Sequence, residues 1–244
     1  MTGPDAPCIY EVIDATWPAA DLRRVGPWVI REGRGGGSRV SAASAQEGAH
    51  ASDIAQAEDA MRALGQPLLF QIRATDTTLD TWLADRGYAI MDPVNLYAAP
   101  IPKIATERPP PVTSFEVWPP LQAQRQLWEA GGINANRIAV MARAQTEKVT
   151  LLGRYDDRPA GCAYLGIAKG CAMIHALEVA KFARRQGLAR HLTRAAAFWA
   201  QDHGVHSLTL VTTQANDAAN ALYTSLGMQL VGQYHYRIKR DASE

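Results

Sequence analysis

The chain has 244 residues, 47% of them hydrophobic and 20% charged, with 25 Lys+Arg against 24 Asp+Glu. That content supports one large or two small globular domains, and the near-balance of charge excludes a whole-chain attraction to nucleic acid or acidic membranes. The three cysteines, Cys8, Cys162 and Cys171, have neither CxxC nor His/Cys ligand spacing, so no disulfide framework and no metal site are expected, and a reducing cytoplasm suits them.

The first residues lack a positive region followed by an apolar one, and no apolar run reaches the roughly 18 residues of a membrane span. A soluble, unexported, cytoplasmic protein is expected. From 10 to 30 the only firm element is a strand at Trp28-Val29-Ile30. Arg34-Gly35-Gly36-Gly37-Ser38 lacks the GxxxxGK[ST] and GxGxxG patterns and precedes a strand-like Arg39-Val40, which favours a turn over a ligand loop. A helix is predicted over 52–64, with Asp53 and Gln56 spaced as a capping box and Gly65 ending it. A strand over 68–72, a helix over 78–86 and a strand from Gly87-Tyr88 follow. Eight prolines between Pro93 and Pro120 disfavour helix and central strand, so this segment reads as the connection between two domains.

Beyond it come a strand near 112–117 and one or two helices within 121–141. An antiparallel series follows at 149–155, 161–167 and 171–179, with turns at Asp156-Asp157 and Lys169-Gly170. A basic turn, Arg184-Arg185-Gln186-Gly187-Leu188-Ala189, opens a helix on which Leu188, Leu192, Ala195, Ala196 and Trp199 recur at helical spacing. A helix start under a basic, glycine-containing turn presents free N–H groups and a positive dipole end to a phosphate. A strand over 207–213, a helix over 217–226 and a final pair of strands complete the chain.

An offset of 140 positions sets residues 66–76 against 206–216 and Gly87 against Gly227, with the same order of elements. Two similar domains, 1–108 and 109–244, are therefore expected. At that offset Asn216 stands against Asp76, Tyr223 against Leu83, and the 184–189 turn against Ser44 to Ala49, so the first copy lacks the basic chemistry.

Residues 113 to 240 resemble the Gcn5-related N-acetyltransferases. The [Q/R]xxGx[G/A] motif of that family stands as Arg184 to Ala189, and its Asn followed by AxxLYxxxG as Asn216, Ala219 to Tyr223 and Gly227. The resemblance implies an α/β (α+β) fold, a mixed, mostly antiparallel sheet flanked by helices, in two tandem copies of which the first is degenerate. It implies acetyl-CoA as cosubstrate. Its pyrophosphate would lie on Arg184, Arg185, Gln186, Gly187, Leu188, Ala189 and Arg190, its pantetheine against backbone groups of Leu177 and Val179, with Asn216 touching it beyond helix capping. Tyr223, seven after Asn216, matches the family tyrosine that protonates the leaving thiolate; packing in the core is its other reading.

The ribosomal-protein acetyltransferases carry a glutamate five residues before the Asn; here that position is Val211. The base is left between His175, similar to the histidine on this strand in arylalkylamine acetyltransferases, and Glu178; either is otherwise a structural residue. Strand alternation puts the two on opposite faces. The expected activity is direct acetyl transfer from acetyl-CoA to a primary amine of a small molecule or peptide, with no nucleic-acid or membrane partner. A non-catalytic acyl-CoA-binding or interaction module is the alternative.

Overall fold

The computed structural model describes residues 4–239. Helix α1, Ala6–Thr16, opens the chain, its N-terminus capped by Asp5, whose Oδ1 accepts the Cys8 N–H at 2.9 Å, with a proline in its first turn. Strands β1 (Asp21–Val25), β2 (Trp28–Glu32) and β3 (Ser44–Ala45) precede helix α2 (Ile54–Ala63) and strand β4 (Leu68–Arg73). Asp53 does form a capping interaction before α2, but by accepting the N–H of His50 at 2.8 Å instead of pairing with Gln56. Helix α3 (Thr77–Asp85), strand β5 (Ala89–Pro100), the short helix α4 (Ile101–Ile104) and strand β6 (Ser114–Val117) occupy the middle. Then come helices α5 (Gln122–Ala130) and α6 (Ala135–Arg143), strands β7 (Lys148–Tyr155), β8 (Arg158–Ala168) and β9 (Cys171–Val179), helix α7 (Leu188–Asp202), strand β10 (Ser207–Thr213), helix α8 (Asp217–Ser225) and strand β11 (Gln229–Lys239). No helix among the described residues is long and apolar enough to cross a membrane.

Three expectations change. The segment read as a proline-rich connection contains the last eight residues, 93–100, of the twelve-residue strand β5, and helix α4. Pro93 is tolerated there because its carbonyl is what the structure uses, accepting the Gln214 N–H at 2.7 Å, next to an irregularity at Asp92 (φ +44°). The final pair of strands is one continuous strand, β11. The chain before β2, in which the sequence reading places no element, holds α1.

The fold is mixed α/β, with mostly antiparallel sheet and flanking helices. It divides into two compact units, neither continuous in sequence. The first takes the chain through Pro18, Leu96–Thr212 and Asn216–Val231; the second takes Ala19–Asn95, Thr213–Ala215 and Gly232 onward. Compared with halves meeting at 108/109, α1 joins the later half and the C-terminal strand joins the earlier one. In the first unit the strands lie in the order β5-β10-β9-β8-β7-β6. The β6–β7, β7–β8 and β8–β9 pairs are antiparallel and β9–β10 is parallel. Helix α7 buries Leu188, Leu192, Ala196 and Ala200 against this sheet. It approaches closely because Gly153 and Gly161 lie below it: a Cβ on either would stand 3.1 Å from the Leu188 side chain.

The second unit has the antiparallel sheet β1-β2-β3 and the antiparallel pair β4–β11, in register from Arg73↔Tyr234 to Leu68↔Lys239. Its core gathers Trp28, Ile30, Ile54, Met61, Phe70, Ile72, Leu79 and Leu83. The 140-residue offset reappears in detail. Helices α3 and α8 span equivalent positions, Gly87 (φ +79°) and Gly227 (φ +83°) terminate them, and Tyr88 and Met228 each donate an N–H back to residue 83 or 223 at 3.0 Å. These are the same left-handed glycine stop in two places.

Candidate active site

The site grows from an irregularity in β9. Residues Tyr164↔His175 and Cys162↔Glu178 are paired across β8 and β9, so Ala163 faces two residues, Ala176 and Leu177. This is a β-bulge, and Ala176 holds the left-handed φ of +50° that makes it. The Nε1–H of the buried Trp128 on α5 donates to the Ala176 carbonyl at 2.7 Å and fixes the bent backbone. One consequence overturns the alternation expected along the strand. Cys162 and Tyr164 share a face of β8, so their partners Glu178 and His175 share a face of β9.

A second consequence is an opening. The parallel pairing of β9 with β10 runs from Cys171↔Ser207 to Ile174↔Leu210 and stops before the bulge. Beyond it, Leu177–Val179 keeps β8 on one edge only. Ala180 donates to Ala160 at 2.8 Å, and by antiparallel alternation the N–H and C=O of Leu177 and Val179 point to the opposite edge, where Arg184 Nε meets the Val179 carbonyl.

The chain then makes a short 3₁₀ turn, Lys181–Ala183, and the basic turn. Arg184 returns to the strand: its Nε donates to the Val179 carbonyl at 3.0 Å and Nη2 meets Glu178 Oε1 at 3.1 Å. Its side chain is thus occupied by the strand end, while the turn beyond it supplies N–H groups. Arg185 (φ +61°) and Gly187 (φ +84°) both take a left-handed φ, which bends the turn back on itself immediately before the helix start. Gly187 is the N-cap of α7 and makes no side-chain cap, and the first helical N–H bonded within the helix is that of His191, to the Gly187 carbonyl at 3.0 Å. The N–H groups of Leu188, Ala189 and Arg190 belong to the first turn, which has no intrahelical acceptor. Arg185 and Gln186 are exposed, whereas the Arg190 guanidinium is held by Ser225 Oγ at 2.8 Å. Free donors, positive φ at two positions and a helix dipole fit a pyrophosphate.

A cleft of about 300 Å³ lies on one flank of this turn, bounded by Thr113, Arg154 to Asp157, Gln186, Leu188 and His191. His191 sits among Arg190 and Arg194, and burial together with those cations lowers its pKa.

Asn216 caps α8, its Oδ1 accepting the Ala219 N–H at 3.1 Å. Tyr223, 6% exposed, packs in the core that also contains Val179 and Leu188. Its ring centroid lies 6.0 Å from that of Tyr97, whose hydroxyl is held by Asn220 Oδ1 at 3.0 Å. The Tyr223 hydroxyl has no hydrogen-bond partner among the described residues, and burial pushes its pKa up to about 12, so it is a proton donor at any physiological pH.

His175 is 3% exposed. Its Nε2 lies 2.7 Å from Thr16 Oγ1, and that hydroxyl donates its proton to the Val12 carbonyl at 2.7 Å. Thr16 can therefore only accept from the ring, which places a proton on Nε2. The indole of Trp17 stacks on the imidazole at 5.1 Å, with Tyr164 at 5.8 Å. Glu178 keeps 19% of its side chain accessible. Sequence reasoning missed Thr16, Trp17 and Trp128, because the helix that carries the first two was not read and nothing near Trp128 announces a distant carbonyl.

A model of the acetyltransferase (GNAT) family matches residues 107–228, half of the chain. The chain belongs to the GNAT acetyltransferase family. The match takes in the bulged strand, the N–H cradle and α8. Over nearly their full lengths, 95% of this chain and 98% of the relative, it is 25% identical to YobR of Bacillus subtilis (strain 168), described as an uncharacterized N-acetyltransferase. A GCN5-related N-acetyltransferase from Kribbella flavida shares the fold with a TM-score of 0.74 at 18% identity, over 100% of this chain and 98% of that one. A tandem GNAT protein from the clavulanic acid biosynthesis pathway gives 0.62 at 14% identity, over 98% and 90%. The GNAT chain described here has its family match confined to the later half, the half that carries the cradle.

Proposed function

We propose that this protein transfers the acetyl group of acetyl-CoA directly to a primary amine. The observation that carries the reading is the adjacency, along one strand and turn, of an open strand edge at Leu177–Val179 and the N–H cradle from Arg185 to Arg190. An elongated diamide ending in a pyrophosphate needs that pairing: strand-like hydrogen bonds for the pantetheine and a dipole-backed cradle for the phosphates. In this reading Arg184 acts through Val179 and Glu178, and Arg185 to Arg190 act through backbone. Asn216 orients α8 by capping it, and is assigned a contact with the same ligand on the family resemblance.

The acceptor amine, with a solution pKa near about 10, must lose a proton before it attacks the thioester carbon. A backbone N–H near Val179 stabilises the oxygen that becomes anionic, and Tyr223 returns a proton to the departing sulfur. His175, 3% exposed, tied to Thr16 and stacked under Trp17, serves the strand's geometry better than proton removal, and Glu178 is the group with accessible charge.

The second unit reads as a degenerate copy of the same fold. Equivalent helices α3 and α8 with matched glycine stops support this, as does the likeness to a protein described as a tandem GNAT. In place of the cradle it has Gly48 and a 3₁₀ turn, Ala51–Asp53, before a shorter helix. Acetyl-CoA consumption over a panel of primary amines, with Gly187→Val beside the unaltered protein, tests the reading. Turnover abolished in Gly187→Val together with acetyl-CoA binding is the expected result; tight binding of acetyl-CoA with no turnover on any amine identifies a non-catalytic acyl-CoA module instead.

A further inference from the structure

Glu178 lies in a seat built by two other residues. Gly131, the C-cap of α5, has no Cβ where Glu178 passes: a Cβ there would stand 2.6 Å from Glu178 Cδ and 2.8 Å from Oε2. Because φ at Gly131 is −88°, an ordinary value, the glycine is required by that approach and by nothing in the backbone. On the other side Arg184 Nη2 holds Oε1 at 3.1 Å. The carboxylate therefore rests over the last turn of α5, which ends in carbonyls and has no basic residue to balance them. A carboxylate beside the negative end of a helix dipole is an arrangement for a cation, and Arg184 satisfies one oxygen only.

Resting on the acetyl-transfer reading, we propose that the Glu178 carboxylate receives the ammonium group of the incoming acceptor, and that Gly131 and Arg184 are the positioning residues that aim it. The acceptor class this selects is a primary amine that arrives as a cation. Aromatic amines, uncharged at neutral pH, gain nothing from the seat.

The test uses the full chain with benzylamine and 1,4-diaminobutane as cationic acceptors and aniline as the uncharged one. Glu178→Gln is expected to raise KM for both cations about tenfold, the loss of one charge-assisted contact. KM for aniline should rise far less than KM for the cations, whatever the variant does to kcat on all three. Gly131→Ala should act in the same direction by displacing the carboxylate, and Gly131→Ala combined with Glu178→Asp should recover much of the loss, because the shorter side chain vacates the space the new methyl needs. Arg184→Lys should retain more of the cation preference than Arg184→Met. Equal losses on cations and aniline, or no rescue in the double variant, would overturn the assignment while leaving acetyl transfer standing. If the unaltered protein acetylates none of the three, the acetyl-transfer reading fails for them. Calorimetry of benzylamine binding then decides the seat alone: weaker binding to Glu178→Gln supports it, and equal or absent binding to the unaltered protein overturns it.

Discussion

Tyr223 shows how one buried hydroxyl serves both chemistry and stability. It is surrounded by apolar core, which keeps it protonated and leaves its O–H without a competing acceptor among the described residues. Tyr223→Phe keeps the ring and removes only the proton donor, so kcat should fall by about 10²-fold or more while acetyl-CoA affinity holds within about twofold. Steady-state kinetics with calorimetry checks this, and unchanged turnover would remove Tyr223 from the mechanism. The same burial has a pH signature. Tyr88, Tyr164, Tyr223 and Tyr236 all have pKa values raised by desolvation above the ordinary 10.0. A raised folded-state pKa contributes stability that is fully present below the unfolded value and is lost as pH rises through the folded one. Thermal stability should therefore decline from about pH 10 upward, with tyrosinate absorbance appearing in step with unfolding. Tyrosinate forming ahead of any loss of helix signal would show that these rings are open to solvent.

The elements differ in how far the sequence reveals them, and the reasons are physical. The motif turn, α7, β10 and α8 declare themselves because glycine, capping side chains and helical spacing act locally. Gly187, Asn216 and Gly227 each stand where one conformation is needed. The bulge at Ala176 has no such mark, since alanine neither favours nor requires a left-handed φ. Tertiary contact imposes it, through a tryptophan 48 positions away. The relation of His175 to Glu178 therefore could not be read from alternation alone. Strand β5 hid behind its prolines for a related reason, as the donors those prolines lack are not the groups that the strand uses at Pro93. Helix α1 went unread although Asp5 and the proline two residues later are local start signals, and its value lies in Thr16 and Trp17 on His175, which no local pattern states. The glycine stops allow a clean test of the local kind. A Cβ on Gly87 meets nothing within 4 Å, so Gly87→Ala isolates the cost of a left-handed φ at +79°. A loss of about 1–2 kcal/mol is expected in denaturant unfolding, with an unchanged m-value. A neutral result would mean that the stop relaxes without strain.

At the scale of the whole molecule, sequence halves and compact units do not coincide, and the repeat explains why they were expected to. An offset of 140 finds elements of like order, but each half places its last strand outside its own compact unit. Leu96–Pro100 of β5 belongs with β10, whereas β11 from Gly232 onward pairs with β4. The unit that carries the cradle also needs the beginning of the chain, since α1 supplies the Thr16 and Trp17 contacts to His175, and Ile101 and Ile104 of α4 lie in its core. Residues 109–244 alone would leave all of these apolar and polar partners missing. The buried side chains of Tyr97, Ala99, Ile101 and Ile104 would be absent from a close-packed cluster, at several kcal/mol in total when each large one contributes about 1.5–3 kcal/mol. A domain typically has only about 5–15 kcal/mol of net stability to lose. A fragment of residues 109–244, although it holds nearly all of the family match and every residue proposed for the chemistry, should show no cooperative thermal transition and no acetyl-CoA binding. The full chain should show both. Supplying residues 1–108 in trans should restore binding at least partly if the swapped strands and α1 are what the fragment lacks. A fragment that melts cooperatively and binds acetyl-CoA by itself would mean that the site is held by the later half alone.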